Sequence, residues 1–349
     1  GTYPLQLQFA DFYGATGQME KMMDEYIGLL DSYPTYSKYV QNILARQVDF
    51  SASTKEYDYL KKILLEKVQR EPDNPTYNEM LIWLFVQNKS FNAALLQVQA
   101  QDRRENGGGE LVYELGNICR ENKEYEVARK AYKYVRDLGE SNRLFYPAEM
   151  ALLNTRYIEV TTQRNYAQTE IRATISDYQE ALGRLGNKAS IVPLILELAH
   201  IEAFYGNAPI SAIERLKGAL DIPRISDMQR AEIKMELADI NVLNGDIWEA
   251  SLFYMQIDKE FKYEVIGQEA KFKNARIFYY DGEFDFAQSQ LDVLKQSTSK
   301  LIANDALKLS LLITDNYGLD SNFTAMYNFA QADLFIEQHR YEEAFYLFD

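Results

Sequence analysis

One short phrase, repeated at intervals, constrains this chain more than any other feature. It is a turn containing Gly, Asn or Asp, then an aromatic or other large residue, then two residues and Ala. Lys123-Glu124-Tyr125 leads to Ala128, Gly245-Asp246-Ile247 to Ala250, Gly282-Glu283-Phe284 to Ala287, and Arg340-Tyr341 to Ala344; Ser90-Phe91 leading to Ala94 is a looser copy. The residue after each turn opens a helix. The Ala three positions later lies on the same face, where a small side chain lets a neighbouring helix come close. A large–small pair precedes each turn (Leu115-Gly116, Leu237-Ala238, Asn274-Ala275), and a large residue follows each Ala by four (Tyr132, Tyr254, Leu291, Phe348). Self-similarity of this kind predicts hairpins that bury their apolar faces only against their neighbours.

Ala94 and Ala128 are 34 residues apart, and Leu60 stands 34 before Ala94; Ala212, Ala250 and Ala287 follow at spacings of 38 and 37. The sequence therefore predicts helical pairs near 3–34, 41–73, 75–106, 109–140, 193–223, 230–262, 268–298 and 321–349. A longer pair, Tyr146–Thr161 and Tyr166–Leu185 with a turn at Asn165-Tyr166, is expected between 143 and 190. An extra helix, Leu301–Thr314 before a Tyr317-Gly318 turn, is expected within 301–316. Asn74-Pro75 pairs a capping residue with Pro at the first helical position. Ser226-Asp227-Met228-Gln229 reads as a capping box. Ile233, Met235, Leu237, Ile240 and Leu243 recur at helical spacing, and no alternating runs flanked by Asn-Gly turns suggest strands.

The pattern resembles the tetratricopeptide repeat, with W-x2-L-G-x2-Y in a first helix, A-x3-F in a second and a closing Pro. The best copy, 109–140, carries Val112, Leu115, Gly116, Cys119, Tyr125, Ala128 and Tyr132; Pro72 and Pro34 fall at closing positions, and Met22 takes the Ala role in the first unit. The resemblance implies an all-α solenoid, an α-α superhelix of helical hairpins spanning 1–349 as one domain, with the last repeat truncated. The chain begins at Gly1 and stops at Asp349 inside a helical pattern, so both ends are expected to be cuts. Uneven repeat lengths and a Tyr/Asn/Gln-rich texture resemble exported bacterial tetratricopeptide proteins, some of which serve periplasmic or cell-envelope assembly.

In that family the first helices line a concave wall that takes a partner segment, so the resemblance implies a non-enzymatic scaffold or adaptor. The inward positions here carry Trp83, Tyr113, Asn117 and Arg120, and further along Phe272, Arg276, Tyr279 and Tyr280. Aromatic and Arg side chains are what protein interfaces enrich. Tyr and Phe also serve as packing throughout the sequence, so Trp83 and Tyr280 fit either groove or core. Arg276 and Asn117 are costly to bury unpaired and are expected in the groove. The Lys that some family members use to grip a C-terminal carboxylate is missing, so binding of chaperone tails is not expected.

Charge and composition narrow the field further. The 349 residues carry a formal net charge of −15, which opposes nucleic acid and anionic membranes and favours a basic protein partner. The longest apolar run, Met80 to Val86, is far short of a membrane span. A single cysteine, Cys119, excludes an internal disulfide and a structural zinc site of its own. No catalytic residue, cofactor or metal is expected. Glu197-Leu198-Ala199-His200 has the E-x-x-H spacing of di-iron bundles but stands alone, since His339 lacks its Glu. His200 also falls near a small packing position, which a one-residue slip would give to Ala199. Gly107-Gly108-Gly109 lacks the flanking strand and Gly-Lys-Ser/Thr of a phosphate loop. Asn88-Lys89-Ser90 and Asn322-Phe323-Thr324 fit the glycosylation pattern, as chance matches do. Two rival classes stay open: a glycan-active enzyme on an α/α barrel, needing two carboxylates roughly 5–10 Å apart, and a self-associating module whose groove is filled by its own copy.

Overall fold

The computed structural model describes residues 4–50, 54–162, 166–317 and 323–348. Asn165, Gly318 and Asn322, on which two expected turns and one glycosylation pattern rest, lie outside them. Among the described residues every regular element is helical. Packing divides the chain into two compact units, 1–159 and 160–349. The first holds α1 (Leu5–Ala15), α2 (Met19–Ser32), α3 (Ser37–Gln47), α4 (Lys55–Arg70), α5 (Pro75–Gln87), α6 (Phe91–Glu105), α7 (Glu110–Glu121), α8 (Tyr125–Arg136) and most of α9 (Phe145–Thr162). The second holds α10 (Gln168–Leu185), α11 (Val192–His200), α12 (Pro209–Ala219), α13 (Asp227–Asn244), α14 (Ile247–Glu260), α15 (Val265–Tyr280), α16 (Phe284–Leu294), α17 (Lys300–Asn316), α18 (Phe323–Glu337) and α19 (Tyr341–Phe348). Each unit is a run of tetratricopeptide-like hairpins. No described helix is long and apolar enough to cross a membrane.

The recurring phrase is a recurring turn. Gly17, Lys89, Lys123, Asn207, Gly245, Gly282 and His339 all have positive φ and stand two residues before a second helix. In six of the seven, the next backbone N–H reaches back five residues: Ser90 to Phe85 (2.8 Å), Glu124 to Cys119 (2.9 Å), Asp246 to Asn241 (2.8 Å), and likewise Gln18, Glu283 and Arg340. That is the Schellman closure, which satisfies a carbonyl the helix end would leave open. The residues in the Ala role, Met22, Ala94, Ala128, Ala212, Ala250, Ala287 and Ala344, are all buried. Both expected caps form. Asn74 accepts the Thr76 N–H at 3.0 Å, and Ser226 and Gln229 exchange the two bonds of a capping box.

At Gly116 the small residue is required because a ring covers it. A Cβ at Gly116 would stand 2.7 Å from the Tyr132 ring. Ala10, Ala238, Ala275 and Ala332 occupy the equivalent site twelve residues before the Ala role, each wholly buried. The α11 hairpin departs by one residue: Ala199 is buried and His200 is only half-buried. The cause is a π-helical turn at Ile201–Tyr205, which takes up one extra residue.

The extra helix has a larger consequence. With α17 inserted between the hairpins, α18 runs antiparallel to α15 instead of stacking in parallel as the next first helix. Gly282 lies beside Tyr327, Tyr280 beside Gln331, Tyr279 beside Asp333, and Arg276 beside Glu337, one number falling as the other rises.

Candidate functional site: the first-helix face of the second unit

One repeat position organises this face. Asp239, Arg276 and Asp333 stand eleven residues before Ala250, Ala287 and Ala344; with the π turn allowed for, His200 holds the same place. In the first unit this row carries Asp11, Trp83 and Asn117. Tyrosines four residues beyond the Ala role reach it: Tyr26 donates to Asp11 at 3.1 Å, Tyr132 to Asn117 at 2.8 Å and Tyr254 to Asp239 at 2.6 Å.

In the second unit Asp239 and Arg276 of this row border a cavity of about 240 Å³, with Phe204, Val242, Ile277 and Tyr280 on its apolar side and Lys273 and Glu337 completing its charged side. Its charges are matched. Lys273 meets Asp239 at 2.7 Å, and Arg276 pairs with Glu337 while lying 5.4 Å over the Tyr280 ring. Burial pulls the Lys273 ammonium down, but Asp239 and Glu269 together outweigh it and hold it above the ordinary lysine value. Tyr280 is 2% exposed, and its hydroxyl finds no hydrogen-bond partner of ordinary geometry among the described residues. Burial pushes its ionisation up, and the Arg276 charge works against that.

The residues predicted to face a guest divide between the units. Phe272 and Arg276 are half-buried on α15, where Arg276 borders the cavity. Tyr279 and Tyr280 are core side chains, 1% and 2% exposed, because α18 covers them; Tyr280 backs the cavity and Tyr279 donates to Asp333 at 3.0 Å. In the first unit Trp83 is half-buried, edge-on to Phe50 at 5.6 Å. Tyr113 packs on Tyr132 at 5.4 Å, and Arg120 donates to Asn154 at 3.0 Å. Asp239, Asp333 and Glu337 were not singled out in the sequence, where acidic residues on helices read as solvated faces; their repeat position was the available signal. The E-x-x-H pair is engaged elsewhere: Tyr178 donates to Glu197 at 2.7 Å and His200 Nδ1 meets Glu236 at 2.9 Å.

No family model matches the chain, and no curated protein matches it either. Among solved structures it is similar to the crystal structure of yeast Tom70, with a TM-score of 0.36 and 13% identity over 98% of this chain and 83% of that one.

Proposed function

We propose that the chain is a protein-interaction scaffold that receives a segment of a partner protein along its first-helix face. The observation that carries this reading is that this face already holds a helix: α18 lies on α15 through Arg276 with Glu337, Tyr279 with Asp333, and Gln331 with the Tyr280 carbonyl. A wall of half-buried aromatic and Arg side chains with polar ends satisfies the chemistry of helix-in-groove recognition. The net charge of −15 favours a partner of opposite overall charge. The uneven repeat lengths and Tyr/Asn/Gln-rich texture resemble exported bacterial tetratricopeptide proteins, some of which serve cell-envelope assembly, and that resemblance supports a partner of that kind.

The test is site-specific photocrosslinking in cells that make the chain, with a photoreactive side chain at Phe272 or Trp83 on first helices and at Leu252 on second helix α14. A discrete crosslinked partner is expected from Phe272 and Trp83 and not from Leu252, which is the more solvent-exposed of the three. Crosslinks from Leu252 alone would overturn the reading.

A further inference from the structure

The last hairpin does not extend the array in line. Its first helix, α18, turns its own inward row onto the inward row of α15. Asp333 and Glu337 from one side meet Tyr279 and Arg276 from the other. Met326, Ala330 and Leu334, at i, i+4 and i+8, are buried in the core of the unit. Gln338 carries the contact onward by donating to the Val242 carbonyl at 3.1 Å, and His339 packs on Phe204. The opposite face of the hairpin stays open, with Phe329, Ile336, Phe345 and Tyr346 exposed. In arrangement α18 is a helical guest joined to its host: an apolar stripe flanked by polar side chains that each find one group on the wall.

We propose that the seat of α18 on α15 is a docking site for a helix of a partner protein, exchanged for α18. That helix carries an apolar i, i+4, i+8 stripe and, on its flank, a carboxylate with a hydrogen-bond acceptor four residues before it. This rests on the scaffold reading above and names the partner's recognition chemistry. The seat presents the Arg276 guanidinium and the Tyr279 hydroxyl, a cation and a donor that a carboxylate and a hydrogen-bond acceptor satisfy, as Glu337 and Asp333 do within the chain. A second copy of the chain is disfavoured as the occupant, since it would bring −15 against −15. Because α18 is tethered, an incoming helix competes with an effective concentration on the order of millimolar. Weakening the tethered helix therefore strengthens apparent binding of a free one.

The experiment uses the full chain and a fluorescein-labelled synthetic peptide of residues 323–340 as the probe. Glu337→Lys sets like charge against Arg276 only in the tethered helix. By fluorescence anisotropy this variant is expected to bind the peptide at least tenfold more tightly than the unmodified chain. The charge swap Arg276→Glu with Glu337→Lys is expected to lose that gain, because the peptide's Glu then meets Glu. A second readout avoids substitution: with millimolar peptide, amide exchange in α18 of the unmodified chain is expected to speed up while α13 stays protected. Unchanged α18 protection, or a folded Glu337→Lys chain that binds the peptide no more tightly, overturns the proposal. So does a shift of that variant to twice the mass in light scattering, which assigns the seat to a second copy. Crosslinks at Phe272 with α18 still protected would retain the scaffold and remove the exchange.

Discussion

Tyr132 lies across the bare backbone of Gly116 and ties itself down beside it, with its hydroxyl donating to Asn117 at 2.8 Å. The second helix of the hairpin can approach the first there because Gly116 has no side chain. Gly116→Ala places a methyl 2.7 Å from the ring, and the ring is wholly buried. It is expected to destabilise the chain by about 1–3 kcal/mol. Urea unfolding of the variant against the unmodified chain measures this; an unchanged midpoint would mean the hairpin is less tightly closed than described.

Lys123 occupies a left-handed turn position at φ 64°, where Gly245 and Gly282 stand in sister hairpins. Left-handed backbone strains a residue with a Cβ by roughly 1–2 kcal/mol. Lys123→Gly is expected to stabilise the chain by about 0.5–1 kcal/mol, the greater freedom of Gly in the unfolded chain taking back part of the gain. Thermal unfolding checks the sign.

Ser226 caps α13 by accepting the Gln229 N–H at 3.1 Å while Gln229 returns a bond to the Ser226 N–H. Ser226→Ala is expected to cost about 1 kcal/mol, and Ser226→Gly only a few tenths. Chemical denaturation of the two variants in parallel distinguishes loss of the cap from a general effect of substitution at the site.

Cys119 is buried in α7, and burial, helped by the Glu124 charge, pushes its thiol up to about 12. It stays protonated and shielded at ordinary pH. A disulfide-exchange reagent at pH 8 is expected to leave the folded chain unlabelled and to titrate one thiol per chain after denaturation. Rapid labelling without denaturant would show that the α7–α8 hairpin opens readily.

Asp333 gives a pH dependence of definite sign. Burial pushes its carboxyl up, opposed by the Tyr279 hydrogen bond and the Arg276 charge. A carboxyl whose folded value exceeds its unfolded one favours the folded state when protonated. That contribution is in place below the ordinary carboxylate value of about 4 and is lost as pH rises through the raised one. Asp333→Asn keeps an acceptor for Tyr279 without the buried charge. It is expected to be more stable than the unmodified chain at pH 7, with the two converging as pH falls toward 4. A constant gap across that window would mean that Asp333 is not desolvated.

Most of the fold was legible because it is local. Lys123-Glu124-Tyr125 and Gly282-Glu283-Phe284 announce the same turn since a left-handed residue, a cap and a large side chain are needed wherever a hairpin of this kind closes. The slip at His200 was legible for a similar reason: a packing site that must be small cannot take a His ring, and Ala199 stands next to it. The polarity of α18 was not legible. Arg340-Tyr341 leading to Ala344 repeats the common phrase, and nothing within a hairpin records which way the preceding helix points. For that reason Tyr279 read as groove, and Tyr280 as groove or core, where α18 lies against both, and nothing marked Asp333 and Glu337 as the residues that meet the wall. Arg276 borders the cavity and pairs with Glu337, as a guanidinium needs a partner wherever it is put.

The insertion of α17 gives the chain a parity. With an odd number of helices between α15 and α19, the terminal hairpin folds back and shuts the wall it would otherwise prolong. A relative that had lost or doubled that one helix would leave the same wall uncovered, with no change to any residue lining it.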